Sequence, residues 1–349
     1  MIMILIVTFM LVLTVMLLRI LLHRTELPTF PQYRVKPVDN YTEKELCEKS
    51  DWCQIRKRAQ NNGRIFVCQP LGGLGNQLFV LFSIISLSKQ TGCQFRIISD
   101  KMEWDKRPVY WNVFLKGLKP YLIKNVVNYT YTYTEPAFEY KPISDVLPYI
   151  ESKNQGQNFV MVSGYFQSAK YFENQKDYII DLLKIPEQRE QVSKKISVDF
   201  NDTVVSMHFR IGDYAEPSTA LVLPLMKIDY YMKALTYMNQ SLINPFKVLY
   251  FYERNDQEII DGHISKLTNM FPHLEFIPIM QGLEDWEELL AMSCCHHNII
   301  PNSTFGWWGA YLNSNPDKIV CYPSVWFGPV HEDENTDDLC PETWTKIDI

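Results

Sequence analysis

The sequence contains no run of lysine or arginine, no internal repeat and no low-complexity tract. With a formal net charge of −6 it presents no diffuse cationic surface to a polyanion. That sets nucleic-acid binding aside, and an anionic ligand would have to be held by a few local groups. A phosphate loop is also missing. The glycine turn Gly72-Gly73-Leu74-Gly75-Asn76-Gln77 lacks the Gly-Lys-Ser/Thr ending whose lysine reaches phosphate, and Leu78 stands where a dinucleotide fingerprint has its third glycine. Spaced pairs of metal ligands are absent too. Cys294-Cys295-His296-His297 are adjacent on a predicted helix, so their side chains point in different directions, and no metal is expected there.

Charge is absent from residues 1–18, and Ile20-Leu21-Leu22 continues the apolar run past Arg19. About 20 apolar residues cross a bilayer. The basic start and small-residue cleavage site of a secretory signal are not evident, so residues 1–22 read as a transmembrane anchor. Residues 23–60, with Pro28, Pro31 and Pro37 and a charge-rich stretch from Glu43 to Arg58, read as a stem. Arg19, His23 and Arg24 follow the apolar run and no lysine or arginine precedes it. Taken alone, that bias puts the C-terminal part in the cytosol. Asn-x-Ser/Thr patterns at Asn40, Asn128, Asn201, Asn239 and Asn302, and an even count of eight cysteines, argue for a lumenal side instead. Cys47–Cys53 is the pair placed for a local bridge, whereas Cys68 and Cys93 read as core residues.

Globular patterning starts at Arg64. Ile65-Phe66-Val67-Cys68 reads as a strand, the glycine turn follows, and Leu78 to Lys89 repeats apolar residues at helical spacing. Further strands read at 95–98 and 159–162, the latter leaving through Gly164-Tyr165-Phe166, with a helix from Tyr171 to Leu183. The C-terminal half alternates strands at 203–208, 247–252, 274–279, 298–300 and 318–322 with helices at 228–243, 256–270, 284–296 and 304–314. Such alternation implies right-handed crossovers and a parallel, doubly wound α/β sheet. The length suits roughly two domains, placed at 61–200 and 201–349.

Three clusters carry candidate chemistry. In the glycine turn, Gly73 and Gly75 would let the main chain approach a ligand, and Asn76 and Gln77 offer amides at a helix start; a tight strand-to-helix turn explains the same residues. His208-Phe209-Arg210-Ile211-Gly212-Asp213-Tyr214 ends a buried strand in charge, at the edge where open α/β sheets bind ligands. Arg210 has the planar fork that clamps phosphate, and a plain Arg–Asp loop is the alternative. Asn302-Ser303-Thr304 opens a helix, either as caps or as amides and hydroxyls cradling phosphate. Trp307, Trp308 and Tyr311 read as packing residues of that helix. The acidic stretch Glu284-Asp285-Trp286-Glu287-Glu288 reads as favourable charge at a helix start.

In this order, Gly-Gly-Leu-Gly-Asn-Gln, His-x-Arg-x-Gly-Asp-Tyr and Asn-Ser-Thr-Phe-Gly-Trp-Trp-Gly-Ala-Tyr-Leu resemble the motifs of the α-1,2-fucosyltransferases, glycosyltransferase family 11, over roughly residues 64 to 325. The resemblance implies a GT-B-like pair of Rossmann-type domains facing a cleft, the first on the acceptor side and the second on the donor side. It implies a GDP-fucose donor, transfer to O2 of a galactose on a glycan, no cofactor and no metal. It also implies a type II Golgi membrane protein with a lumenal catalytic part, which would settle the orientation. Carried over, Arg210 holds the diphosphate, His208 and Asp213 shape its loop, Asn302, Ser303 and Thr304 form the donor cradle, and Gly73, Gly75 and Asn76 face the cleft. Many relatives carry a second arginine where this chain has Ile211.

The donor's sugar is β-linked and an α-linked product needs inversion, so one in-line displacement suffices. Arg210 and the amides near Ser303 would stabilise the departing diphosphate, and Asp213 is the candidate general base, equally a partner that fixes Arg210. The alternatives are a GDP-fucose transferase of another linkage, α-1,6 or protein O-linked, and an inactive, membrane-tethered glycan-binding protein.

Overall fold

A central strand of a parallel sheet is covered on both faces and therefore needs an unbroken apolar run. Ile65–Cys68 (β1) and Thr203–His208 (β6) supply such runs, with every residue of β1 fully buried. The protein, a computed structural model, is described over residues 64–100, 107–124, 131–135, 139–142, 159–279 and 282–349. The anchor, the stem, the Cys47–Cys53 pair, Asn40 and Asn128 lie outside the described residues. Within them, no helix is long and apolar enough to cross a membrane.

Two all-parallel sheets form. The first is ordered β3-β2-β1-β5-β4, adding Gln94–Ile98 (β2), Leu122–Ile123 (β3), Tyr131–Thr134 (β4) and Phe159–Ser163 (β5). The second is ordered β11-β10-β9-β6-β7-β8, with Phe246–Phe251 (β7), Glu275–Pro278 (β8), His297–Ile299 (β9), Val320–Pro323 (β10) and Thr345–Ile347 (β11). The parallel α/β expectation holds.

Among the described residues the longer helices are Leu74–Thr91 (α1), Lys176–Leu183 (α2), Ile185–Ser193 (α3), Ile228–Ser241 (α4), Gln257–Met270 (α5), Asp285–Cys294 (α6) and Thr304–Tyr311 (α7), with one further helical turn at Pro217–Ala220. One helix reading needs correction. Residues 171–175 belong to short 3-10 turns, and α2 begins only at Lys176. There the Tyr171 hydroxyl is tied to Glu135 and the Phe172 ring turns inward onto Trp308, contacts that a continuous helix would not align. Helix α3 and strands β3, β4 and β11 were not legible, being short or weakly periodic.

The described residues form one compact unit. A single apolar cluster draws on both sheets and on α1 and α7, including Phe66, Phe79, Val204, Leu249, Trp307 and Trp308. The three aromatics predicted to pack do so. Trp307, Trp308 and Tyr311 meet Phe79, Phe82 and Phe172 with ring centroids 4.4–5.5 Å apart in their closest pairs.

The loops at the carboxyl ends of the two sheets touch. The turn after β1 meets the start of α7, which follows β9. Arg107, after β2, lies 3.8 Å from Asp213, after β6. Tyr110 hydrogen-bonds Asp285 at the start of α6, after β8. Lys170, after β5, pairs with Asp338, which lies between β10 and β11. The carboxyl-end loops of the two sheets therefore face each other.

Candidate active site

Strand β6 carries Arg210 to the cleft edge. The guanidinium packs on the Tyr214 ring, 4.7 Å from its centroid, and is paired on one side with Asp213 and on the other with Glu253 at the end of β7. Its side chain is only 13% exposed, so the fork is held in one orientation. Gly212 makes this possible. Its φ is +38°, and a Cβ there would lie 2.7 Å from Arg210 Nη1 and 3.1 Å from Glu253 Oε2. The Gly212 N–H donates to buried Asp256 at 3.0 Å, which pins the loop to the turn after β7.

Asp213 also faces Arg107, so two guanidinium groups share its carboxylate. Ile211 points the other way. It is 2% exposed, within the apolar cluster of Phe209, Met226 and Tyr231. A charge at that position would be buried among apolar groups, so this loop is built around one arginine.

His208 is buried, and its carbonyl accepts from the Tyr231 hydroxyl at 3.2 Å. Burial, with Arg210 nearby, lowers its imidazole to about 3, so the ring is neutral. That ring lies against α7. A Cβ on Gly306 would sit 2.7 Å from His208 Nδ1.

The third cluster differs from expectation in its details. Ser303 is the N-cap of α7 but makes no side-chain cap bond. Asn302 is 1% exposed, and its Nδ2 donates to the Pro224 and Trp326 carbonyls, both at 3.0 Å. It ties together the loops after β6 and β10. That burial also removes Asn302 as a glycosylation acceptor in the folded protein, whereas Asn201 and Asn239 are exposed.

The glycine turn is corrected as well. Gly75 does not open the main chain to a ligand: a Cβ there would lie 2.5 Å from the Thr304 carbonyl carbon and 2.7 Å from the Phe305 nitrogen. It is the point where α1 and α7 cross. Gly73 has open space around it, and Gly72 takes φ +72°. Asn76 Oδ1 accepts from Gln167 Nε2 at 3.2 Å, which joins the turn to the loop after β5.

Sequence reasoning missed Glu253, Asp256, Arg107 and Glu288. The first three lie in loops whose only signal is that they follow strands. Glu284 and Glu287 form a capping box on α6, as a charged helix start should. Glu288, one turn on, is different. Burial, and then Asp285, raise its carboxyl to about 7, with Arg254 opposing and Glu253 adding. In the Cys294–His297 stretch, His296 Nδ1 accepts the Val204 N–H at 3.1 Å and His297 Nδ1 the Ile319 N–H at 3.0 Å, so these rings serve the sheet.

Arg210 lies over the Tyr214 ring, and the Tyr214 hydroxyl donates to the Asn302 carbonyl at 3.4 Å, just before α7. A guanidinium fork held in this way is the side chain that grips anions such as phosphate or carboxylate. The profile of glycosyl transferase family 11 matches residues 42–347, and the chain belongs to that family. The match starts inside the segment read as a stem. The O-antigen biosynthesis glycosyltransferase WbnK of Escherichia coli is 25% identical over 313 residues, 79% of this chain and 98% of that protein. An Escherichia coli α-1,2-colitosyltransferase is 28% identical over 187 residues, covering 53% and 61%. A galactoside 2-α-L-fucosyltransferase of Caenorhabditis elegans is 25% identical over 303 residues, covering 79% and 77%. The protein is a fucosyltransferase-like glycosyltransferase.

Proposed function

We propose that the protein moves L-fucose from GDP-β-L-fucose to O2 of a galactose on a glycan, with inversion, as a galactoside 2-α-L-fucosyltransferase. The observation that carries this is Arg210, held by Asp213, Glu253 and Tyr214 at the carboxyl end of β6, with the Tyr214 hydroxyl bonded to the Asn302 carbonyl just before α7. In the reaction the acceptor O2 attacks the sugar's anomeric carbon as its bond to the diphosphate breaks. Negative charge grows on the diphosphate, and Arg210 with the amides around Ser303 and Thr304 stabilises it. His208 and Asn302 shape this donor side from within the protein. No metal is required in this reading.

Asp213 works through Arg210, because two guanidinium groups already engage it. In this reading the hydroxyl proton goes to Glu288, whose carboxyl is raised to about 7 by burial and then by Asp285 and feels the charges of Arg254 and Glu253. The reading includes a type II membrane protein of the Golgi with a lumenal catalytic part, anchored through residues 1–22; orientation and compartment follow from the family resemblance. Incubating the purified protein with GDP-fucose and a panel of β-galactosides tests the reading. The expected product carries α-fucose at galactose O2 by NMR. A different linkage, or no turnover on any galactoside, overturns it.

A further inference from the structure

The segment after β2 is fastened at two points. Gln77, 2% exposed in α1, donates from Nε2 to the carbonyls of Gly72 and Pro108, both at 2.8 Å. Two residues beyond Pro108, the Tyr110 hydroxyl donates to Asp285 at the start of α6. Arg107 immediately precedes Pro108. Its backbone is therefore set by one tie to the glycine turn of the first sheet and one to a helix of the second.

From there the Arg107 side chain reaches the loop after β6. Its Nη2 lies 3.8 Å from Asp213 Oδ2, while Asp213 Oδ1 holds Arg210 Nη2. Two guanidinium groups, one from each sheet, thus stand on the two oxygens of one carboxylate. Both also act on Tyr214, whose ring carries Arg210. Burial raises the Tyr214 hydroxyl to about 12; Arg210 and Arg107 oppose that rise, and Asp213 adds to it.

The local charge gives Arg107 a role. Arg210 is paired with two carboxylates, those of Asp213 and Glu253. One cation against two anions is net negative and repels a further anion. Arg107 brings the group to neutrality. It is also held differently. Arg210 is 13% exposed and clamped on both sides, whereas Arg107 is 58% exposed and meets Asp213 by a charge contact longer than a hydrogen bond. An anion with two charged groups can engage both forks in place of the Asp213 carboxylate.

We propose that Arg107 is a second guanidinium of the diphosphate site, contributed by the first sheet, so that the leaving group is held by one arginine from each sheet. The identity of the ligand as a nucleoside diphosphate rests on the function proposed above. Arg210 supplies the fixed fork and Arg107 a second one that adjusts to the anion. A diphosphate bound in this way ties the carboxyl-end loops of the two sheets together.

The test uses the full chain with Arg107→Ala, Arg107→Gln and Arg107→Lys. It reads affinity for GDP, guanosine and inorganic pyrophosphate by calorimetry at two ionic strengths, with Tm as the check on folding. Arg107→Ala should weaken GDP and pyrophosphate about tenfold, the equivalent of about 1.4 kcal/mol. The loss should be larger at low salt, with guanosine affinity and Tm at wild-type values. Arg107→Lys should recover part of it, since it restores the charge without the fork. Should Arg107→Ala melt early, Arg107→Gln, which keeps most of the side chain's length, is judged by the same criterion. Unchanged GDP affinity overturns the proposal, and so does an equal loss for guanosine, which would make Arg107 structural. If the wild type binds GDP but transfers fucose to no galactoside, the functional reading fails by itself and Arg107 is judged on GDP affinity. If the wild type binds GDP no better than guanosine, there is no diphosphate site and the Arg107 proposal falls.

Discussion

The main chain of Gly75 lies against the main chain of Thr304, so close that a Cβ on Gly75 would sit 2.6 Å from the Thr304 carbonyl oxygen. Two residues further along the same helix, Gly306 meets the His208 ring. Two segments far apart in the chain, the start of α1 and the end of β6, thus converge on the first turn of α7, with glycines at the two crossings. The site is assembled by close packing of backbone, which tolerates little adjustment.

Gly75→Ala is expected to destabilise the protein. Alanine favours a helix interior by up to about 1 kcal/mol, but the clash is with backbone, and overpacking costs about 1–3 kcal/mol. Gly73→Ala, with nothing within 4 Å, should lose at most about 1 kcal/mol of N-cap preference. Urea unfolding of the two variants should rank them in that order; equal midpoints would dismiss the crossing as a constraint.

Arg210→Lys should cut GDP affinity and transfer severely while leaving Tm near wild type, because an ammonium cannot bridge as the planar fork does. Glu253→Gln should act oppositely on binding. Arg210 is flanked by two carboxylates, and these compete with a diphosphate for the same donors. Removing one charge is expected to tighten GDP several-fold, and more so at low salt. Calorimetry at two ionic strengths would check both; weaker GDP binding by Glu253→Gln would show that it orients Arg210 rather than opposing the ligand.

Glu288 is predicted to appear in the pH–rate profile. Its carboxyl is raised to about 7, so it is protonated and inactive as a base below that pH and ionised above it. The rate should climb through about pH 7, and Glu288→Gln should lower kcat by about 100-fold or more and remove that limb. A Gln variant with an unchanged profile would pass the proton to another group.

Asn302→Ala should lose stability without losing a ligand contact. The substitution leaves two buried carbonyls, of Pro224 and Trp326, without their donor, at about 1–3 kcal/mol each. Expressed in a secretory host, the chain should carry glycan at exposed Asn201 or Asn239 and none at Asn302. Peptide mapping with mass spectrometry reads this directly, and an occupied Asn302 would contradict its burial.

Much of the architecture was legible because its signal is local. β1 and β6 are apolar runs ending in glycine or charge, and α1, α4 and α5 repeat apolar residues at helical spacing; the structure has them within a few residues of where they read. The site was legible in part. Arg210 stood out because a charge ended a buried strand. Glu253 did not, because nothing in Tyr252-Glu253-Arg254 says which residue across the sheet its carboxylate will meet. Arg107 was hidden for the same reason: its partner Asp213 follows a strand of the other sheet, far along the chain.

From the sequence alone came the alternation of strands and helices, the parallel sheets that follow from it, and the residue types able to grip a diphosphate. These depend on periodicity and on side-chain chemistry, both properties of short segments. The tertiary structure alone decided what each candidate packs against. It turned Gly75 from a presumed ligand contact into a helix crossing, Asn302 from a cradle into a tie between loops, and Asp213 into a partner of two arginines. Each depends on atoms brought within a few ångströms by long-range packing, and that proximity is not encoded in any one segment.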